Sequence, residues 1–393
     1  MARERDALIT GIGLVSCLGE GTDAHRRALQ QFTPVVDAAS FAPFPLHPLA
    51  PLEFDRQIPK RGDQRQMEPW QRIGTYAAGL ALESAGIKGD AALLSRTEMI
   101  VAAGGGERDP AVDEAILSAL PSAPDPDAFL NERLMGELRP TLFLAQLSNL
   151  LAGNISIVHG VVGSSRTFMG EESAGADAVR IACARIAAGQ GDLFLIGGSN
   201  NAQRPEILLH YQMGRMLWQR PYAPVWARQA DGGGMVLGSL GCFLVIESRA
   251  HAEARGATVL AAIAAIGTDR CRRQPGDAAA NAARQLEAMR GLLDISAAAV
   301  ISGASGATLT TAEERAFLDG IGVPLRAAAT ALGHSMEPSF PAAVALAAIA
   351  VADGRLFPPL EPAEAPMDAP LRQALVTGWG HWRGEALALV TEA

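Results

Sequence analysis

The sequence predicts an α/β protein whose sheets are parallel or mixed. Short β-like runs alternate with longer helical stretches along all 393 residues, a pattern typical of this fold class. Two strand patterns in the first part of the chain also recur in the last part, which suggests two similar halves that meet near residue 250. The length is sufficient for one large two-lobed domain or for two fused domains.

The individual elements follow from composition and spacing. Short apolar and β-branched runs predict strands at residues 7–12, 98–103, 193–196, 242–247, 298–302 and 386–391. Apolar residues at helical spacing predict helices at residues 71–85, 174–188, 278–293, 311–318 and 341–352. Segments 108–127 and 357–369 are rich in proline and acidic residues and are predicted to be surface connections.

The internal repeat has two parts. Residues 193–200 (LFLIGGSN) are echoed by residues 299–306 (AVISGASG), and residues 242–248 (CFLVIES) are echoed by residues 386–392 (ALALVTE). Chance similarity between apolar strands is the alternative explanation. A duplication predicts an N-terminal half over residues 1–250 and a C-terminal half over residues 251–393.

Composition excludes several classes of protein. The net charge of −9 argues against nucleic acid and anionic membranes as main partners. The N-terminus lacks a signal-peptide profile, and apolar runs such as 257–266 and 342–351 are too short to span a bilayer. The widely spaced cysteines include no CxxC pair and predict neither disulfides nor a zinc framework: Cys17, Cys183, Cys242 and Cys271. These observations predict a cytoplasmic protein without a membrane span.

Six segments occur in the order found in one enzyme family. They are residues 9–19 (ITGIGLVSCLG), 61–68 (RGDQRQME), 149–160 (NLLAGNISIVHG), 193–199 (LFLIGGS), 236–247 (VLGSLGCFLVIE) and the pair Gly333 and His334. Over essentially its whole length the chain resembles the β-ketoacyl-ACP synthases of the thiolase superfamily, where ACP is acyl carrier protein. The resemblance implies a thiolase-like, five-layered αβαβα fold of two duplicated halves, with helices sandwiching two mixed sheets. It also implies a dimer that pairs through residues 155–158 or the segment just after them.

The family's nucleophile is absent at the position that the resemblance assigns to it. The condensation reaction needs a thiolate at a helix N-terminus, where the helix dipole lowers the thiol pKa. Counting back from residues 197–198 places Glu172 there, with Glu171 beside it. A carboxylate at this position is a poor acyl acceptor, and charge at a helix N-terminus is the alternative explanation for both glutamates. Cys183 lies on the apolar stripe of the following helix and is interpreted as a buried structural thiol.

The family's other catalytic positions are largely replaced as well. The resemblance places Ser305 at the first histidine and Ala329 at the lysine, whereas the second histidine is retained as His334. Packing or hydrogen bonding alone is the alternative role for His334. The family's glycine-rich gate near the C-terminus reads GWGHW here, with Trp379 where a phenylalanine normally moves. We expect Trp379 to block or reshape the acyl tunnel and His381 to line the pocket mouth.

The resemblance leaves three functions open. The first is a catalytically deficient subunit that pairs with an active synthase and sets acyl chain length in fatty acid, very-long-chain or polyketide synthesis. Its precedents are the chain-length factors and the synthase-like proteins of very-long-chain lipid A acyl synthesis, which residues 167–172 resemble more. The second is a residual malonyl-ACP decarboxylase or condensing enzyme that uses Glu172 and His334. The third is a non-catalytic acyl-ACP binding module.

The expected partners follow from the same resemblance. Arg61, Arg65 and Arg215 match basic positions where the family docks its acidic carrier protein, and isolated surface arginines are the alternative. Glu137 stands where the family often has a basic residue, which argues against the docking patch. We expect no cofactor other than the phosphopantetheine of the carrier protein, and a homodimer or a heterodimer with an active synthase. The histidine spacing predicts no metal site.

Overall fold

The computed structural model describes residues 3–393 as an α/β structure, which confirms the predicted class. Its strands are β1 (Ala7–Ser16), β2 (Gly19–Glu20), β3 (Leu46–His47), β4 (Glu98–Ala102), β5 (Ser165–Phe168), β6 (Leu193–Asn200), β7 (Leu237–Gly238), β8 (Leu240–Ser248), β9 (Ala261–Asp269), β10 (Ala298–Ser302), β11 (Leu325–Ala327), β12 (Gln373–Trp379) and β13 (Glu385–Thr391).

The helices connect these strands and cover both faces of the sheet. They are α1 (Gly21–Gln30), α2 (Arg61–Gln66), α3 (Pro69–Ser84), α4 (Ala91–Leu94), α5 (Pro110–Ala119), α6 (Pro126–Glu137), α7 (Pro140–Ala145), α8 (Leu150–His159), α9 (Glu172–Ala187), α10 (Pro205–Met213), α11 (Val225–Gln229), α12 (Arg249–Ala254), α13 (Asp277–Met289), α14 (Thr308–Asp319), α15 (Ala328–Leu332) and α16 (Ser339–Ala352). None of the helices within residues 3–393 is both long and apolar enough to cross a membrane.

The main sheet has the same strand order in its two halves. The N-terminal half runs β5-β4-β6-β8-β1, and the C-terminal half runs β11-β10-β12-β13-β9. The three outer strands of each half are parallel, and the two inner strands are antiparallel to their neighbours. We expected two separate sheets, but a short antiparallel ladder between β1 and β9, from Ala7 opposite Ile263 to Ile9 opposite Ala261, joins the halves.

Five layers result from where the helices pack. Helices α3 and α8 cover the outer face of the N-terminal half, and α13 and α14 cover the outer face of the C-terminal half. Helices α9 and α16 contact strands of both halves and each other, so they lie between the halves. Helix α16 is apolar around its whole circumference and is almost fully buried, as expected for a helix enclosed on all sides. The largest hydrophobic core surrounds this central pair.

The predicted elements are confirmed, with ends that differ by a few residues. All six predicted strands and all five predicted helices are present. Strands β9 and β12 were not predicted; β9 is rich in alanine, which has a low preference for strands and leaves its sequence pattern ambiguous. The predicted connection at residues 108–127 was wrong in part, because it contains α5. Residues 357–369 form no helix or strand.

Two expectations concern individual strands. Of the two candidates for the strand before Glu172, residues 155–158 belong to α8, and the segment after them contains the strand, β5. The echo between residues 242–248 and 386–392 does join topologically equivalent strands, β8 and β13. The other echo does not, because β6 is equivalent to β12 and β10 is equivalent to β4. The domain boundary near residue 250 stays a prediction.

Candidate active site

The site is built at the sharp turn between β5 and α9, residues 169–171, which we call the elbow. Gly170 has φ 142° and Glu171 has φ 55° and ψ −134°, a conformation that side chains rarely adopt. This strained turn reverses the chain so that Glu172 becomes the first residue of α9. The partial positive charge of the helix N-terminus favours an anion at Glu172.

The Glu172 carboxylate is buried and accepts three hydrogen bonds through one oxygen. Oε1 accepts from Nε2 of His334 at 2.7 Å, from Nδ1 of His381 at 2.7 Å and from the backbone N–H of His381 at 3.1 Å. The exposed fractions of the three side chains are 7% for Glu172, 1% for His334 and 3% for His381. A carboxylate with this many donors is well compensated for the loss of water.

The two histidines reach Glu172 from different parts of the chain. The backbone of His334 is fixed by hydrogen bonds to Val236 and Gly238, at 2.8 and 3.0 Å. A side chain at Gly238 would collide with the backbone of residue Leu332, so the close approach of these segments requires glycine. His381 lies in the loop between β12 and β13, which the backbone hydrogen bond from Gly380 to Gly384 closes at 2.9 Å.

Electrostatic interactions favour the charged forms of Glu172 and His381. Burial raises the pKa of the Glu172 carboxyl, but the positive charge of His381 and the hydrogen bonds from His334 and His381 outweigh burial and hold that pKa well below its ordinary value. Burial lowers the pKa of His381, but the Glu172 charge and hydrogen bond outweigh it, and the pKa is raised. Glu172 and His381 therefore form a buried ion pair near neutral pH.

Two further carboxyl groups flank this pair. Glu171 accepts a hydrogen bond from the Tyr211 hydroxyl at 3.2 Å, and its Oε2 lies 3.8 Å from Nε2 of His381. Glu337 is buried, and burial together with the charges of Glu172 and Glu171 raises its pKa to about 7. The backbone of Glu337 lies so close to α9 that a side chain at Gly175 would be only 2.1 Å from its carbonyl oxygen. Sequence reasoning missed Glu337, because its only signal was an acid three residues after His334.

Glu337 predicts a specific pH dependence of stability. Its pKa of about 7 lies above the ordinary value of 4.5, so the folded state holds a proton that the unfolded state releases between these values, and stability falls as pH rises through this range. The variant Glu337→Gln should raise the free energy of unfolding by about 2–3 kcal/mol at pH 8 and by little at pH 4.5. Thermal unfolding at both pH values measures this, and an equal effect at both would contradict the prediction.

The other predicted positions do not converge on Glu172. Ser305 is buried, and its hydroxyl accepts a hydrogen bond from the backbone N–H of Ala307 at 3.2 Å, with no hydrogen bond to Glu172 among the described residues. Ala329 lies in the hydrophobic cluster around Val225. The gate expected at Trp379 is not seen, because its indole is buried against Phe317 and helix α13 in the C-terminal half.

The sequence predicted a position for His381 that is too far from Glu172. We expected it at the pocket mouth, but it is buried and contacts Glu172 directly. It thereby provides a second imidazole beside His334, although the position that the resemblance assigns to the family's first histidine holds Ser305. Nothing in the local sequence indicated this contact, since residues 172 and 381 are 209 positions apart.

The arginines predicted to dock a carrier protein are exposed. Arg61 and Arg65 lie one turn apart on α2, and Arg215 follows α10. None of the three forms an ion pair among residues 3–393. Glu137, which argued against the patch, pairs with Arg133 on α6.

Two polar cavities lie beside the elbow. One, of about 420 Å³, is lined by Glu172, Asp177, Arg180 and residues of β9 and β13. The other, of about 450 Å³, is lined by Glu171, Tyr211 and Glu337 together with residues 104–106. Both expose charged groups, which is unusual for a site meant to enclose a hydrocarbon chain.

A comparison with known families now identifies the chain. A family model described as the β-ketoacyl synthase N-terminal domain matches residues 5–252. The chain belongs to the β-ketoacyl synthase family. This confirms the resemblance drawn from the six segments.

Among curated β-ketoacyl synthase relatives, nodulation protein E of Rhizobium leguminosarum bv. trifolii is 28% identical over 274 residues, which cover 67% of this chain and 63% of that protein. The 3-oxoacyl-[acyl-carrier-protein] synthase 2 of Vibrio cholerae is 24% identical over 273 residues, with the same coverage. The chain thus spans less than two thirds of the length of the relatives it matches.

Solved β-ketoacyl synthase structures confirm the thiolase-like fold. The ishigamide ketosynthase/chain length factor has a TM-score of 0.79 at 19% identity, covering 99% of both chains. A chain of the AntDE:AntF complex, a type II polyketide acyl-carrier protein with its ketosynthase bound to the hexaketide, has a TM-score of 0.74 at 16% identity. It covers 99% of this chain and 100% of that one. These likenesses concern the fold alone.

Proposed function

We propose that this chain is a catalytically deficient β-ketoacyl synthase subunit of fatty acid or polyketide synthesis, which pairs with a cysteine-containing synthase and helps to set acyl chain length. The observation that carries the proposal is the buried Glu172 carboxylate in the nucleophile's place. It cannot accept an acyl group as a thiolate does. Its charge also repels a malonyl carboxylate close by.

The hydrogen bonds of Glu172 support the deficiency further. In a condensing enzyme the imidazole N–H groups must be free to stabilise the enolate oxygen that malonyl decarboxylation creates. Here Nε2 of His334 and Nδ1 of His381 both donate to Oε1 of Glu172. Glu172 is thus an internal anion that occupies the donors a substrate would need.

An exposed sheet edge supports a partner subunit. Strand β5 is the last strand of the sheet, and its first residues, Ser165 and Arg166, are exposed. The neighbouring Ile157, Val162 and Met169 expose large apolar side chains. An unpaired edge beside apolar side chains is a natural surface for pairing with a second chain. Family resemblance points to the same strand.

Native mass determination of the complex from its own host tests the pairing. We expect a second, cysteine-containing synthase in the complex, and a changed product length when the two chains are expressed together. The double variant Ile157→Asp and Val162→Asp should release the partner. Leu309→Asp, which also changes an exposed apolar residue, is the matched control. A chain that forms only homodimers and leaves every partner's product length unchanged would contradict the proposal.

A second candidate function is malonyl-ACP decarboxylation. It is favoured by one observation, the pair of imidazoles that His334 and His381 place at the site, and it requires the substrate to displace Oε1 of Glu172 from their N–H groups. The position assigned to the family's first histidine holds Ser305, but this argues less against decarboxylation because His381 supplies a second imidazole. Carbon dioxide release from malonyl-ACP by the purified protein, abolished in His334→Ala, would support this function, and its absence would end it.

Carrier-protein docking is the third candidate and yields a separate prediction. The phosphopantetheine arm of the carrier protein would bring the acyl group, and Arg61 and Arg65 would contact its acidic surface. The double variant Arg61→Glu and Arg65→Glu should weaken carrier-protein binding about tenfold or more and reduce its salt dependence. Binding measured at two salt concentrations checks this, with Arg96→Glu as an unrelated charge-reversal control. Unchanged affinity would exclude docking at α2.

A further inference from the structure

Three side chains at the elbow form a set that can bind a metal ion. Glu172, His334 and His381 each present one ligand atom, and these atoms all lie within 4.8 Å of one another. Two imidazoles and one carboxylate are the ligand set of catalytic zinc sites and of non-haem iron sites. We propose that this cluster binds one divalent first-row transition metal ion, such as Zn²⁺.

Metal binding requires the three ligand atoms to shift. Zinc bonds of about 2.0–2.1 Å in tetrahedral geometry place ligand atoms about 3.3 Å apart. Oε1 of Glu172 now lies 2.7 Å from Nε2 of His334 and 2.7 Å from Nδ1 of His381, and the three atoms all lie within 4.8 Å of one another. The carboxylate would therefore move outward by roughly half an ångström, and the two ring nitrogens would settle at about 3.3 Å from each other. Each of these nitrogens would give up its proton, to solvent from a charged ring or to the other ring nitrogen of a neutral one, and the metal would become the positive partner of Glu172.

The surroundings resemble the outer shell of a metal site. Histidine ligands usually direct their other ring nitrogen at a carboxylate, which fixes the ring and strengthens the ligand. If His381 binds through Nδ1, its Nε2 faces Oε2 of Glu171 at 3.8 Å. Glu171 is itself oriented by the Tyr211 hydroxyl at 3.2 Å. The ring of Tyr211 also packs edge-on against His381.

The local charge and the neighbouring cavity also favour a bound cation. The carboxylates of Glu171 and Glu172 flank the two imidazoles, so a dication bound by neutral imidazoles would balance the local charge. Of the three ligands, Glu172 lines the cavity of about 420 Å³, so this cavity reaches the cluster from the side of the carboxylate. A site with three protein ligands and an open position has the form of a reactive rather than a structural metal site.

Metal titration of the full-length protein tests the proposal. Protein stripped with a chelator and then dialysed should bind one equivalent of Co²⁺ or Zn²⁺, measured by calorimetry and native mass spectrometry. Bound Co²⁺ should give the visible absorption of a low-coordinate site. Mutation of a residue that only orients a metal ligand costs about 10–100-fold in metal affinity, so His381→Gln and Glu172→Gln, which remove a ligand itself, should cost about 100-fold or more.

A matched control separates this site from adventitious binding. His251 donates to the buried Glu247 at 2.7 Å but belongs to no three-ligand cluster among the described residues. His251→Gln should leave the affinity unchanged, and circular dichroism should show that all variants fold. No stoichiometric binding, or equal affinity in His381→Gln and the parent, would overturn the proposal. Metal content is measured independently of partner binding and product length, so this failure is distinct from failure of the proposed function.

Discussion

The purified protein, given acyl-ACP and malonyl-ACP, should form β-ketoacyl-ACP at less than about one thousandth of the rate of a cysteine-containing synthase. Losses of a nucleophile and of a general base each commonly cost several orders of magnitude, though not additively. In the proposed function Glu172 takes the place of the sulfur, and its carboxylate accepts hydrogen bonds from both His334 and His381. Mass spectrometry of the acyl-ACP products measures the rate.

The variant Glu172→Cys is the complementary experiment. It places a thiol at the N-terminus of α9, beside two imidazoles that would then be free, where its pKa should fall. We expect an acyl thioester on this residue, seen as a mass increase after incubation with acyl-ACP, whereas Glu172→Gln should remain unmodified. A thioester on any cysteine of the unaltered chain during turnover would contradict the proposed deficiency.

The variant Glu172→Ala should destabilise the protein by about 3–5 kcal/mol at neutral pH, since it removes one member of a buried and hydrogen-bonded ion pair. His334 and His381 would be left without the acceptor that both now use. Urea unfolding measures the change, with a well-folded variant as reference. Glu172→Gln should lose less free energy of unfolding than Glu172→Ala, because the glutamine amide oxygen still accepts hydrogen bonds.

The pH dependence of this loss follows from the two pKa shifts. The pKa of Glu172 is lowered by its partners, so its contribution to stability is present above the unfolded value of 4.5 and is lost as pH falls through the lowered value. The pKa of His381 is raised, so its contribution is present below about 6.5 and is lost as pH rises through the raised value. The difference in free energy of unfolding between the parent and Glu172→Ala should therefore be largest between the unfolded pKa values of Glu172 and His381. A loss that is constant from pH 4 to pH 9 would show that the pair is not ionised.

Local patterns predicted much of the fold. The glycine after α9, Gly189, has φ 68° as expected for the residue that ends a helix. The apolar stripe of α9 is buried in the central core. Cys183, which was predicted to be buried, packs against that core but is only partly buried. These features depend on residues within a few turns of one another, so short-range spacing suffices to predict them. The alanine-rich β9 escaped prediction because its strand character comes from pairing with β1 and β13.

Long-range contacts limited what could be predicted of the site. The identity of Glu172 at the elbow was readable, because the strand, turn and helix around it are contiguous in sequence. Its partners were not, because His381 and His334 arrive from 209 and 162 residues away. Trp379 is the opposite case, in which a local motif suggested a position that the tertiary packing did not produce. Its place in the motif suggested a gate, but the strand register of β12 directs its ring into the C-terminal core.

The sequence by itself predicted the family and the α/β layers, and it placed an acid at the position that the resemblance assigns to the nucleophile, because each of these rests on contiguous residues. Only the tertiary structure decided that the acid is buried between two histidines and that one of them comes from the loop after β12. The physical reason is that side-chain convergence depends on how α9, α16 and both halves of the sheet pack. Such packing brings together residues whose spacing along the chain carries no signal.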